Sequence, residues 1–314
     1  MKIEKRPNGA ILHSSDGDDK VLTPFQLLEL SKNLKAFVLK NLDDFDEQVL
    51  RRVSFRGKEF LIVVDANLRF WEDMESGRWE SSTFDVFDRY INENTTLIDI
   101  GGWIGSTSLY ATQLSSRSFV FEPDPIAYSS LQRNFEINKQ FDWSSKAELI
   151  PAAIAQQKGK VELGFRGDPG DSMSSVLLSH KDMSQTVDSI NLAEFMNEKG
   201  LIEEEVFIKI DIEGFEYDLI PSLSELIAGL KNTRFLISLH PQFLIEQVSL
   251  QTRGGALNSS KVRSVFLKKH RALFKAFKGY TVKYSNNKPF KVRSELAKGF
   301  ITGEFPRELI FERD

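Results

Sequence analysis

The chain reads as an α/β protein with a mostly parallel sheet covered by helices on both faces, preceded by an N-terminal α+β leader, and three observations predict it. From Thr96 onward, apolar strand-like runs at 96–100, 118–122, 147–151, 206–211 and 234–239 alternate with helical patterns near 104–115, 125–138, 188–197 and 217–230. The run Leu97-Ile98-Asp99-Ile100 meets a glycine turn, Gly101-Gly102-Trp103-Ile104-Gly105, that opens into a helix. The following strand, Phe119-Val120-Phe121, ends in Glu122-Pro123, 23 residues after Asp99. That distance is close to the ~20 expected between a glycine turn and a ribose-binding carboxylate.

Residues 1–92 precede these motifs and are expected to form a leader or lid, a platform for substrate or a homodimer contact, ahead of a main domain at 93–314. Within the leader, Leu27, Leu30, Leu34, Phe37 and Val38 keep a helical rhythm between Phe25 and Leu42. Val53-Ser54-Phe55 and Phe60-Leu61-Ile62-Val63-Val64 flank Arg56-Gly57-Lys58, which predicts a hairpin over Arg51–Asp65. The helix after Ser82 places Phe84, Phe87 and Ile91 on one face.

In the alternating region the clearest helix is predicted at 217–230, where Leu219, Ile220, Leu223, Leu226, Ile227 and Leu230 share a helical spacing. Right-handed crossovers place the strand C-termini, with Asp99, Glu122, Asp211 and His240, along one rim. Beyond the fifth strand, a long basic helix is expected around Lys261–Phe277 with Val262, Phe266, Leu273 and Phe277 inward, followed by strands at 280–285 and 307–312.

The rim has the layout of a site for an adenosine-containing ligand. A pyrophosphate requires G-x-G-x-x-G at a helix N-terminus. Counting from Gly101, the second glycine position is Trp103. S-adenosylmethionine carries no phosphate but has a sulfonium and an ammonium, so a carboxylate such as Asp99 in the turn favours it.

A third motif, Lys209-Ile210-Asp211-Ile212-Glu213-Gly214-Phe215-Glu216, closes the strand Val206-Phe207-Ile208. Together, Asp99-Ile100-Gly101-Gly102-Trp103-Ile104-Gly105, Phe121-Glu122-Pro123 and Lys209 to Glu216 resemble the motifs of the FkbM family of S-adenosylmethionine-dependent methyltransferases over roughly residues 70–240. That family usually has Ala-Asn where this chain has Gly102-Trp103. The resemblance implies a class I methyltransferase Rossmann-like sheet closed by a hairpin with one antiparallel strand, for which Leu309-Ile310-Phe311 is a candidate. It also implies S-adenosyl-L-methionine as cofactor and O-methylation of a hydroxyl, by family a sugar of a glycan or glycosylated metabolite.

Glu122 is expected to accept both ribose hydroxyls, with Pro123 beside it in the motif. Asp99 would hold the methionine ammonium, and Gly101, Gly102 and Gly105 would let the backbone approach. Ala153 is expected beside the purine, although it is equally a core filler. Asp171 and Ser172 lie in a loop that could close over the donor or simply be polar. Lys209, Asp211 and Glu213 alternate along one strand and would share a network, in which Asp211 or Glu213 orients or deprotonates the acceptor. His240, ahead of Pro241, is the best-placed general base, or a packing residue at a strand end. No metal is expected, because metal-dependent catechol enzymes resemble one another in an Asp-Asn pair where this chain has His240-Pro241-Gln242.

Composition bounds the rest. Hydrophobic residues make up 41% and charged residues 27%, and there is no cysteine, which excludes disulfides and thiolate ligands. Neither an apolar leader at Met1–Pro7 nor a membrane-length run is present, so a cytoplasmic protein is expected. The net charge of −4 hides a basic stretch: residues 251–300, expected to be an insertion, contain 13 Lys or Arg and one acid, leaving −16 on the remainder. That stretch suggests an anionic acceptor, while nucleic acid is disfavoured as a partner. Two other readings stay open, an RNA methyltransferase using the basic segment and a nucleoside-binding module without catalysis.

Overall fold

The computed structural model describes residues 2–6, 9–13, 20–22, 50–63, 67–165, 170, 174–176, 184–252, 260–302 and 304–313. They divide into two units, Met1–Leu50 and Arg51–Asp314. In the first, β1 (Lys2–Arg6), β2 (Gly9–His13) and β3 (Lys20–Leu22) pair antiparallel, with Ile3 opposite Leu12 and Ile11 opposite Val21. The helix expected over Phe25–Leu42 lies outside the described residues.

The second unit begins within β4 (Leu50–Phe55), which turns through Arg56 and Gly57 into β5 (Lys58–Val63). Both turn residues have positive φ, 49° and 75°, the backbone that twists a two-residue hairpin correctly. α1 (Leu68–Glu75) and α2 (Ser81–Tyr90) follow. The main sheet then starts with β6 (Thr96–Ile100), α3 (Ser108–Leu114), β7 (Arg117–Phe121), α4 (Pro125–Glu136) and β8 (Ala147–Ile150). A small second sheet comes next, from β9 (Ala153–Ala155), β10 (Gly159–Gly164) and β11 (Ser184–Asn191), and leads into α5 (Leu192–Glu198). The main sheet resumes with β12 (Val206–Ile210), α6 (Glu216–Ser222), α7 (Ser224–Gly229) and β13 (Thr233–Ser238). It ends with α8 (Pro241–Thr252), α9 (Ser260–Ala276), β14 (Thr281–Tyr284), α10 (Val292–Thr302) and β15 (Glu308–Glu312).

The seven main strands lie in the order β14-β15-β13-β12-β6-β7-β8. Five of them, β8, β7, β6, β12 and β13, run parallel, and β15 enters antiparallel between β13 and β14. This is the class I α/β arrangement expected, with Leu309-Ile310-Phe311 on the one reversed strand.

Strand residues alternate between the two faces, and each face has its own core. Ile98, Ile100, Phe119, Ile208, Ile210 and Phe235 pack with α5 to α9, through residues such as Tyr217, Ile220, Phe266 and Leu273. Leu97, Val120, Phe207, Leu236 and Ile310 pack on the other face against Val53, Phe60, Trp71, Phe84, Phe87 and Leu109. The hairpin, α1 and α2 thus cover one face of the sheet, and fully burying each such side chain contributes about 1.5–3 kcal/mol. In place of the expected boundary at residue 92, the compact units divide at Leu50, and the hairpin, α1 and α2 belong to the sheet's core.

Three further expectations change. The helix expected over 217–230 is two helices broken at Leu223, because Pro221 has no N–H for the ladder and crowds the preceding turn. Residues 188–191 belong to β11, with the helix starting only at Leu192, since Asn191 caps it by accepting the Glu194 N–H at 3.0 Å. The basic stretch 251–300, expected as an insertion, is built into the fold where it is described: α9 buries Val262, Phe266 and Leu273 against the sheet's helices, and β14 is an edge strand.

Candidate functional site

The five parallel strands end on one rim, and a cavity of about 460 Å³ opens there, within the ~300–1,000 Å³ of small-ligand sites. Its wall includes Gly101, Trp103, Glu122, Pro123 and Ala153 on the β6–β9 side and Lys209, Asp211, Glu213 and His240 on the β12–β13 side. Phe70, Trp79, Glu80 and Ser82 come from the segment before the sheet, and Arg307 and Glu308 from the start of β15. A second concavity of about 400 Å³, lined by Pro241, Gln242, Ile245, Glu304, Phe305 and Arg307, shares Gln242 and Arg307 with the first.

Glu122 follows β7 directly and is 6% exposed. Its Oε2 accepts the Trp103 N–H and its Oε1 the Asp124 N–H, each at 2.8 Å. Each oxygen keeps lone-pair capacity for a further donor. Burial pushes its pKa up to about 8, against the pull of those two N–H groups.

Gly101 has φ 92°, and a Cβ there would stand 2.0 Å from the Asp211 carbonyl oxygen. Only glycine lets the β6 exit pass so close to the β12 exit. At Gly102 a Cβ would meet Val120 Cγ1 at 2.4 Å, so the alanine usual in the resembled family has no room in this packing. Trp103 occupies the left-handed region, φ 47°, which is costly for a bulky residue. Its indole N–H donates to the Gly170 carbonyl at 3.1 Å, and its ring meets Phe70 edge-on at 4.9 Å.

Asp99 does not reach the cavity wall. It is 1% exposed, and its Oδ2 accepts the hydroxyls of Thr107 at 3.0 Å and Ser108 at 2.6 Å. Its Oδ1 faces Lys209 Nζ at 3.5 Å. It is thus engaged with Lys209 and with the hydroxyls at the start of α3. Gly102 and Gly105 likewise lie outside the wall. Asp171 and Ser172 lie outside the described residues. The neighbouring Gly170 N–H and Ser174 Oγ both donate to Asp124 Oδ2, at 2.7 and 3.0 Å.

Across the cavity, Lys209 pairs in register with Asp99, and Asp211 follows the end of β12. Lys209 Nζ lies 3.3 Å from Asp211 Oδ2. Burial opposes charging of Lys209, but Asp99 and Asp211 outweigh it and raise its pKa. Burial likewise opposes ionisation of Asp211, yet Lys209 and then His240 hold it below the ordinary carboxylate range. Strand alternation does not bring Glu213 here, as expected from sequence. It sits in the turn with φ 54°, and its Oε2 reaches to 3.6 Å from His240 Nε2.

His240 Nδ1 lies 3.0 Å from Glu216 Oε1, which also accepts the Ile212 and Gly214 N–H groups. Its Nε2 is 3.6 Å from Asp211 Oδ1. Burial disfavours the imidazolium, but Glu216, Asp211 and Glu213 together push the pKa up to about 9. At neutral pH His240 is therefore protonated and donates; it is not the free base expected from its position. Asp211, Glu216 and His240 bring one ligand-type atom each within 4.8 Å of one another. With Glu216 Oε1 already holding three N–H donors and an imidazolium supplying positive charge, the trio fits an ion-paired cluster better than a cation site.

Glu80, Glu308, Trp79 and Phe70 escaped the sequence reading, since they stand far from the motifs. Trp103 did leave a signal, a bulky residue in a glycine turn. Of the basic stretch, none of Lys268, Lys269, Arg271 and Lys275 lines the cavity, and Lys269 is held by Asp218 at 2.5 Å.

A family model described as methyltransferase FkbM domain matches residues 99–276, more than half of the chain. Methyltransferase 1 of Beauveria bassiana strain ARSEF 2860 is 28% identical over 150 residues, 42% of this chain and 60% of that protein. The crystal structure of methyltransferase FkbM from Methylobacillus flagellatus KT aligns with 70% of this chain and 44% of its own, at 15% identity and a TM-score of 0.39. A geranyl diphosphate methyltransferase solved in complex with S-adenosylmethionine aligns with 79% of this chain and 90% of its own, at 9% identity and a TM-score of 0.38. The chain spans about 60% of the length of the curated relative it matches.

Proposed function

From the premise that the chain belongs to the FkbM methyltransferase family, we propose that it uses S-adenosylmethionine to methylate a hydroxyl of an uncharged, hydroxyl-rich acceptor such as a sugar. The observation that carries the donor half is Glu122: a buried carboxylate at a parallel strand end, facing the cavity, with lone pairs left on both oxygens. A vicinal ribose diol supplies the two donors such a group lacks. Ala153 and Pro123 complete the donor side, and Trp103 and Phe70 form an apolar wall next to it.

The bound donor supplies an electrophilic methyl group on sulfur. The chain's task is to hold an acceptor oxygen in line with that methyl and to receive the proton it loses. Asp211 and Glu213 accept hydrogen bonds from acceptor hydroxyls, and protonated His240, fixed by Glu216, donates one. Two cations of the wall, Lys209 and His240, are already paired with Asp99, Asp211 and Glu216, so they do not call for an anionic acceptor. The acceptor approaches from the Gln242–Arg307 side, where the second concavity continues.

Calorimetry with S-adenosylmethionine and S-adenosylhomocysteine on the wild type and Glu122→Ala, with NAD as control, tests the donor half. The expected result is binding of the sulfur compounds, weaker by about 1–3 kcal/mol in the variant. No binding, or a preference for NAD, rejects it.

A further inference from the structure

Glu80 lies outside the segment matched by the family profile, yet the fold sends its side chain into the cavity wall with Lys209, Asp211 and Glu308. It occupies the N-cap of α2 with φ 40° and ψ 38°, and its side chain caps no helix N–H. An N-cap residue ordinarily takes extended backbone and gives its side chain to the helix. Glu80 forgoes both, and left-handed backbone at a non-glycine residue is a form of strain found clustered at functional sites.

Its surroundings are arranged around a proton. Thr83 Oγ1 lies 3.2 Å from Glu80 Oε2 and 2.5 Å from Glu308 Oε1. Thr83 is buried, at 1% exposure, and its hydroxyl has a single hydrogen. If that hydrogen goes to Glu308, Glu80 completes the chain only by carrying a proton of its own; without it, two lone pairs face each other. The candidates read from the sequence are already engaged: His240 is protonated, Asp211 pairs with Lys209, and Glu213 faces the His240 imidazolium at 3.6 Å.

We propose that Glu80 is the catalytic base of the methyl transfer, with Thr83 and Glu308 positioning it. This rests on the donor assignment above. In the step, a lone pair on the acceptor oxygen forms the bond to the methyl carbon as the carbon–sulfur bond breaks, its electron pair staying on sulfur. The hydroxyl proton passes to Glu80 and then to solvent, leaving a methyl ether and S-adenosylhomocysteine. Burial first, and the Asp211 charge second, push the Glu80 pKa up to about 7 against the pull of Lys209, a value suited to a base working near neutrality.

The test separates this from the donor assignment. S-adenosylhomocysteine binding to the wild type, by calorimetry, decides the donor assignment alone. For Glu80, carbon NMR of protein labelled at the glutamate carboxyl carbon should show one resonance titrating near pH 7 that is missing in Glu80→Gln, and Thr83→Val should shift its midpoint. Glu80→Gln should bind S-adenosylhomocysteine like the wild type, and with methyl glycosides as probe acceptors its kcat should fall by about 10²- to 10⁴-fold, with Glu80→Asp recovering part. Absence of that resonance in the wild type, its survival in Glu80→Gln, or wild-type kcat in Glu80→Gln overturns the proposal. So does a tenfold or greater loss of S-adenosylhomocysteine affinity in Glu80→Gln, on the order of 1.4 kcal/mol, which would make Glu80 a donor-binding group.

Discussion

Glu122 titrates where a carboxylate ordinarily does not, and this links donor binding to pH. Ribose hydroxyls favour the ionised form, so below about pH 8 binding must also expel a proton. S-adenosylhomocysteine should therefore bind roughly tenfold more weakly at pH 7 than above pH 9, and calorimetry in buffers of different ionisation enthalpy should register proton release. Flat affinity across that range would show that Glu122 does not meet the ribose. His270 works on stability instead. It is 1% exposed, packed against Tyr217 and Phe266, and neither ring nitrogen has a hydrogen-bond partner. Burial lowers its pKa from 6.5 to about 4. As pH falls below 6.5 the unfolded chain takes up the proton first, so folding stability declines between about pH 6.5 and 4, by roughly 3 kcal/mol in all. His270→Phe should remove that decline and raise Tm at pH 5, read by thermal denaturation across pH.

Elements carry the next constraint, the closeness of β6 and β12 at their exits. Gly101→Ala would press a Cβ into the Asp211 carbonyl and add a side chain at φ 92°. The strand ends must part, which should cost at least about 1–3 kcal/mol of stability and also weaken donor binding, since Gly101 and Asp211 both line the cavity. Denaturant titration and S-adenosylhomocysteine calorimetry on the same variant check both halves. The basic helix α9 shows how one element carries two kinds of information. Its apolar positions Val262, Phe266 and Leu273 are buried as their spacing requires, whereas Lys268, Arg271 and Lys275 point outward. Neutralising those three should leave donor affinity and its salt dependence unchanged, because none of them meets the cavity.

Across the whole molecule, every described residue of the cavity wall comes from Arg51–Asp314. A chain of residues 51–314 should accordingly unfold cooperatively and bind S-adenosylhomocysteine within about twofold of the full chain, a difference of roughly 0.4 kcal/mol. A larger loss would assign part of the site to Met1–Leu50. Among the described residues no helix is long and apolar enough to cross a membrane.

What the sequence determined by itself is whatever follows from neighbours along the chain. Continuous apolar runs marked the five parallel strands, apolar spacing of period 3.6 marked α9, and strand-end chemistry marked Glu122, Lys209, Asp211 and His240, since a glycine turn and a carboxylate are set locally. Pro221 broke its helix for an equally local reason, overlooked against a strong apolar rhythm. Tertiary structure alone decided the protonation of His240, which depends on three carboxylates converging from the 211–216 turn, and the burial of Asp99 against Lys209, Thr107 and Ser108. It alone joined Glu80 to Glu308, 228 positions apart in the chain, through one threonine hydroxyl. Charge and hydrogen bonding act through space over a few ångströms, and no spacing along a chain reports which distant side chains the fold will bring within that reach.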